Sequence, residues 1–245
     1  MGRGKVGFWV RVAVAVLRPP LTVLTRREWR GGQLLPKSGG VLVVVNHNSY
    51  VDPLATAHFV WDNGRVPRFL AKASLFRLPL AGRVLAGAGQ IPVYRQSLDA
   101  AKAYAAAVEA VRTGECVVIY PEGTVTRDPD LWPMMGKTGA ARVALATGAP
   151  VVPIAQWGSH EILPPYTKRP HLFPRRTLHF SLGPPVELDD LRPVPLNAEV
   201  LRAATSRILA AITAQLETIR GESAPVQRFD PRAQQGTSLD PRRAG

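Results

Sequence analysis

Residues 41–45 read Val-Leu-Val-Val-Val, an unbroken apolar run with four β-branched residues. An alternating strand would offer one face to water, but this segment offers neither, and it is too short for a buried helix. It must therefore lie in a sheet covered on both sides, as parallel sheets with helical crossovers are. Further short apolar runs at 68–71, 90–94, 116–120, 151–155 and 177–182 supply partner strands. Pro153 lacks a ladder donor, which predicts an edge position or the end of strand pairing for its strand.

Helical stretches fall between these runs. The pattern predicts helices over 53–61, over 97–112 with Ser97 as N-cap and Gly114 beyond the end, over 139–147 closed by Gly148, and over 197–220. Strands alternating with helices define an α/β fold with a mixed, mostly parallel sheet flanked by helices. No linker interrupts residues 31–220, which read as one domain. After Gly221 the chain is polar and aperiodic, and 221–245 reads as a disordered tail.

Residues 1–30 differ in character. Arg3, Lys5, Arg11, Arg18, Arg26, Arg27 and Arg30 face a single acid, Glu28, and the whole chain carries a formal net charge of +13. Such a balance calls for an anionic partner. Phe8, Trp9, Val12, Val14, Val16 and Leu17 lie among these cations, a mixture that suits a helical segment resting on an anionic membrane surface. A nucleic-acid arm would be more polar between its charges, and no nucleic-acid partner is expected. Arg11, Arg18 and Pro19-Pro20 break the segment well short of the roughly 20 apolar residues a spanning helix needs. They predict a helix over 6–18, a stop at the prolines and a further turn at 21–27. Cys116, the only cysteine, sits in an apolar run and reads as a buried bystander, and the Cys and His residues lack metal-site spacing.

Each polar cluster follows a predicted strand, and in such sheets ligands gather beyond the strand ends. The first cluster is Asn46-His47-Asn48-Ser49-Tyr50-Val51-Asp52. The spacing allows Asp52 to orient one ring nitrogen of His47 and leave the other as a base; it equally allows Asp52 to cap the next helix. In the second, Arg95 ends the strand Ile91-Pro92-Val93-Tyr94, as a phosphate fork or as a surface cation. The third is Tyr120-Pro121-Glu122-Gly123-Thr124-Val125-Thr126-Arg127. Here Gly123 permits close backbone approach, Thr124, Thr126 and Arg127 are phosphate donors, and Glu122 either orders the loop or bonds a substrate hydroxyl. The fourth, Val151-Val152-Pro153-Ile154, is architectural. Gly136-Lys137-Thr138 lacks the upstream glycine of a P-loop, and Ser159 lacks the second glycine of a nucleophile elbow.

In order and spacing these clusters resemble the four blocks of the PlsC-type glycerolipid acyltransferases, the 1-acylglycerol-3-phosphate acyltransferase family. Asn46, His47 and Asp52 match N-H-x-x-x-x-D. Ile91 to Arg95 match a strand ending in Arg, Tyr120 to Thr124 match F/Y-P-E-G-T-R, and Val151 to Ile154 match V-P-I/V. One departure stands out: Val125 occupies the place of the Arg after E-G-T, with Arg127 two residues on.

The resemblance implies His47 as general base with Asp52 as its partner. It implies direct attack of a deprotonated acceptor hydroxyl on the thioester of acyl-CoA or acyl-carrier protein, with no acyl-enzyme, metal or cofactor. Lysophosphatidic acid would be the acceptor and phosphatidic acid the product. Arg95, Glu122, Gly123, Thr124 and Arg127 would hold the acceptor, with Lys72 and Lys137 as further candidates. Residues 73–89 would line an acyl groove or form a core helix. The protein would be peripheral, on the cytoplasmic face of the cell membrane. A related acceptor (glycerol-3-phosphate, a lysophospholipid or a glycolipid), or a non-catalytic lipid-binding role, are the alternative readings.

Overall fold

The computed structural model describes residues 6–93 and 97–233, with only the backbone of residues 97–100. Among them, one sheet contains β1 (Thr25–Arg30), β2 (Val41–Val45), β3 (Pro67–Lys72), β4 (Ile91–Val93), β5 (Cys116–Ile119), β6 (Val151–Trp157) and β7 (Arg176–Leu182), in the order β1-β7-β6-β2-β5-β3-β4. β2 is central and pairs in parallel with β5 and β6. β3 pairs in parallel with β5 and β4. β7 runs antiparallel to β6 and parallel to β1. The sheet is mixed and mostly parallel, as the apolar runs require.

Every residue of β2 is fully buried. Val41, Val43 and Val45 pack with Phe59 and Val60 of α2 (Asp52–Asp62), while Leu42 and Val44 pack on the opposite face. That second face is covered by α4 (Ser97–Arg112), α5 (Gly139–Thr147) and α7 (Ala198–Arg220). Helix ends follow local chemistry. The Asn197 side chain accepts from the amides of Glu199 and Val200, and Gly148 and Gly221 close their helices in the left-handed region.

Pro153 does not lie on an edge strand. Its carbonyl accepts from the Gly183 amide at 3.0 Å, one position past the last β6–β7 pair. The missing N–H therefore falls where antiparallel pairing ends.

Three expectations are corrected. First, the helix α1 (Phe8–Leu24) runs through Pro19 and Pro20 rather than stopping there. The prolines orphan the carbonyls of Ala15 and Val16, both exposed and open to solvent. The Thr22 hydroxyl donates to the Arg18 carbonyl at 2.8 Å, and Arg18 pairs with Asp62 of α2 at 3.1 Å. Second, residues 25–30 are a strand rather than part of a turn; Trp29 packs edge-on against Phe59 with centroids 5.3 Å apart. Third, residues 73–89 are no core helix. A 3-10 turn (Ala73–Arg77) leads into α3 (Pro79–Gly87), whose sole buried residue is Gly82. α3 packs on α1, the Trp9 indole lying directly over Gly87. Among the described residues no helix is long and apolar enough to cross a membrane.

The segment expected to be a disordered tail divides. Residues 221–233 are described and lie against the domain: the Met135 amide donates to the Phe229 carbonyl at 2.9 Å, and Ala224 packs on the cluster of Trp132, Ala155 and Leu216. Residues 234–245 lie outside the described residues.

Parallel pairing brings the C-terminal ends of β2, β3, β4, β5 and β6 to one edge of the sheet. β7 is antiparallel to β6, so residues 163–175, which lead into it, reach the same edge, as does the end of α1 before β1.

Candidate active site

β2 ends at Asn46, and the chain turns through His47 into α2. Asp52 is the first residue of α2 and is completely buried. Its Oδ2 lies 2.8 Å from His47 Nδ1 and accepts from the amides of Asn48 (2.5 Å) and Ser49 (2.9 Å). Its Oδ1 accepts from the hydroxyl of Ser159. A carboxylate surrounded by donors is held in one position. Asp52 thus orients the histidine and also ties down the turn that carries it.

The His47 ring stacks on Tyr120 at 4.3 Å and 25°. Its side chain keeps 13% exposure, and Nε2 has no partner among the described residues. With Nδ1 donating to Asp52, Nε2 carries the free lone pair and can take a proton from a molecule at the open edge.

Behind the ring a polar chain fixes the strand ends. Thr56 spends its hydroxyl proton on Gln156 Oε1 (3.2 Å), so the Tyr120 hydroxyl donates to Thr56 (3.1 Å). Gln156 Nε2 donates to the Asn46 carbonyl at 2.7 Å, and the Asn46 side chain bonds back to the Gln156 backbone. Burial, reinforced by the Asp52 charge, pushes the Tyr120 phenol well above its ordinary value, so it stays a donor.

Glu122 is buried beneath the same turn. Oε1 accepts from the His47 amide at 2.9 Å and Oε2 from the Met134 amide at 3.1 Å. Burial pushes its carboxyl up to about 8, against the lowering pull of those amides. Each oxygen thus bonds a backbone amide, which ties Glu122 into the loop. The Thr126 amide returns a bond to the His47 carbonyl at 2.7 Å, so the loops after β2 and β5 are stitched twice.

Gly123 has φ of 71°, and the Lys137 stem passes 3.0 Å from where a Cβ would stand. The Lys137 amide donates to the Pro121 carbonyl at 2.8 Å, which holds this lysine over the loop. Val125 is completely buried, so the position where the resembled block has Arg points into the protein here. Thr124 is half-buried, and Arg127 and Lys72 are exposed. Neither cation has a partner among the described residues. Lys72 ends β3, two strands from β2. Arg95 lies outside the described residues. Among the described residues no group of three or more His, Cys, Asp or Glu is placed to hold a metal.

The sequence pointed to His47, Asp52 and the Glu122–Gly123 loop, but not to Ser159. Its one available signal was its place just past β6, at the same edge as the other clusters. Lys137, a subsidiary candidate by sequence, is the cation seated on the loop.

This chain is similar to known proteins both in sequence and in fold. A model of the acyltransferase family matches residues 26–157, and the chain belongs to that family. A 1-acyl-sn-glycerol-3-phosphate acyltransferase of Borreliella burgdorferi is 34% identical over 131 residues, covering 53% of this chain and 50% of that protein. A chloroplastic 1-acyl-sn-glycerol-3-phosphate acyltransferase of Brassica napus is 33% identical over 144 residues, covering 57% of this chain and 39% of that one. The match thus spans half or less of these relatives' length. The crystal structure of the 1-acyl-sn-glycerophosphate acyltransferase PlsC from Thermotoga maritima shares the fold, with a TM-score of 0.66 at 21% identity over 88% of this chain and 81% of that one.

Proposed function

We propose that this protein transfers a fatty acyl group from acyl-CoA or acyl-carrier protein to the free hydroxyl of 1-acylglycerol-3-phosphate, giving phosphatidic acid. The observation that carries the reading is the His47–Asp52 pair: a contact of 2.8 Å, a carboxylate fixed by two amides and a serine, and an Nε2 left open. Nε2 takes the proton of the acceptor hydroxyl as its oxygen attacks the thioester carbon. The tetrahedral intermediate then collapses, the C–S bond breaks, and the imidazolium returns the proton to the thiolate. Asp52 stabilises the imidazolium between these steps. No acyl-enzyme forms.

The acceptor phosphate is held by cations at the same edge: Lys137 over Gly123, Arg127 two residues past the buried Val125, and Lys72 at the end of β3; Arg95, outside the described residues, is a further candidate from the sequence. The four relatives named as acting on 1-acylglycerol-3-phosphate favour that acceptor. The inward-facing Val125 favours a displaced headgroup site, and with it a related acceptor, as the second reading.

The protein acts as a peripheral enzyme on the cytoplasmic face of the membrane. Its contact is the α1–α3 layer, where Phe8, Val16, Val23, Leu78 and Leu80 stand exposed beside Arg11 and Arg18.

An acceptor panel with one acyl-CoA, scored by the mass of the product lipid, tests the assignment. 1-Acylglycerol-3-phosphate should be the best acceptor, and His47→Ala should abolish product while vesicle binding survives. Thioester release that survives His47→Ala would refute the mechanism; a best acceptor without phosphate would refute the substrate.

A further inference from the structure

Residues 163–175 join α6 (Ser159–Ile162) to β7, and among them are three cations, Lys168, Arg169 and Arg175, and no carboxylate. Residues 166–175 are all exposed, and Phe173 and Leu172 keep 76% and 40% of their surface in solvent. A lone exposed Leu needs no explanation, but adjacent Leu and Phe among cations, on a tethered loop, do.

The tethers place this loop. At its start the Ser49 hydroxyl donates to the Leu163 carbonyl at 2.7 Å, and the Tyr166 hydroxyl donates to the Val125 carbonyl at 2.6 Å. Tyr166 sits in the left-handed region, φ 59°, with its ring edge-on to Tyr50. The loop therefore begins at the mouth of the His47 site. At its far end Arg175 donates to the carbonyls of Thr22 (3.1 Å) and Thr25 (2.7 Å), at the end of α1 where Val23 is exposed. Lys168 and Arg169 have no partner among the described residues.

We propose that residues 168–173 form a second membrane contact, a basic-aromatic finger that inserts Leu172 and Phe173 into the interface of an anionic bilayer. It extends the lipid-facing surface of α1 to the mouth of the catalytic site. Lys168 and Arg169 meet anionic headgroups while the two apolar side chains enter the acyl boundary. The pinned ends hold the finger in one pose, so little ordering is lost on insertion. This rests on the membrane reading of α1 above, and it adds that the site mouth is pressed to the lipid from two sides.

The test uses the full chain. Phe173→Cys carries an environment-sensitive fluorophore; buried Cys116, its thiol pushed up to about 12, stays unlabelled. Ser38→Cys, on the exposed loop before β2 at the opposite edge, is the control site. With phosphatidylglycerol vesicles the label at 173 should shift to the blue, less so in high salt, and the label at 38 should not respond. Phosphatidylcholine vesicles should give a weaker shift at 173. Leu172→Ser with Phe173→Ser should weaken sedimentation with phosphatidylglycerol vesicles about tenfold or more with Tm unchanged. A silent label at 173 on protein that still sediments through α1 would overturn the finger and leave the membrane reading standing. Protein that sediments with no vesicle would overturn both.

Discussion

The Asp52→Asn substitution probes the catalytic pair with little change of shape. The asparagine oxygen can take the place of Oδ2 and keep the amide bonds from Asn48 and Ser49, while its NH2 faces the Ser159 hydroxyl, which can accept. What disappears is the charge beside the imidazolium. Coulomb's law, 332/(εr) at an effective ε of 20, gives about 6 kcal/mol as an upper bound for charges at 2.8 Å. The ring's 13% exposure allows some screening, so about 4–5 kcal/mol remains, or about 10³–10⁴ in rate. The assay is initial-rate thiol release from acyl-CoA at saturating acceptor, with Tm measured on the same samples. The expected result is a fall of that size in kcat, a nearly unchanged acceptor KM and a small change in Tm. A loss under about tenfold in folded protein would show that Asp52 only ties down the turn through the Asn48 and Ser49 amides, and the charge argument would fail.

Ser159→Ala leaves Asp52 Oδ1 without its hydroxyl donor; the expected cost is about 1.5–3 kcal/mol in urea unfolding, with a smaller kcat loss than Asp52→Asn. Because folding raises the Glu122 carboxyl to about 8, the native state holds a proton that the unfolded chain releases near 4.5. That contribution is fully present below about 4.5 and is lost as pH rises toward 8, at up to about 1.4 kcal/mol per pH unit. Glu122→Gln should therefore flatten the fall in urea midpoint between pH 5.5 and 8, and an unaltered slope would exclude this carboxyl as its source. Arg65 is buried and donates to the carbonyls of Pro36 (2.7 Å), Gly39 (2.7 Å) and Gly114 (2.9 Å), at the edge away from the site. Arg65→Met should cost about 3–5 kcal/mol in chemical denaturation, while kcat of the folded fraction stays unchanged.

Where the sequence was legible, the signals were local. The run at 41–45 stated that both faces of its strand are covered. Asn197, Gly148 and Gly221 marked helix ends because a cap is made within a few residues of itself. His47 and Asp52 were legible as a pair because a turn entering a helix brings positions five apart together.

The buried strands, most helix boundaries and the strand-end clusters were therefore readable from residue order, since each depends on a periodicity or spacing carried within one segment. The remaining features arose only from long-range packing. Thr25–Arg30, a polar segment with no strand signature, is a strand because β7 offers it a parallel edge some 150 residues along the chain. α1 passes through two prolines while α2 and α3 hold it in place. Ser159 meets Asp52 across 107 residues, Lys137 crosses Gly123, and Val125 turns inward. These contacts join segments distant in sequence, so their geometry exists only once the sheet has set the register that brings them together.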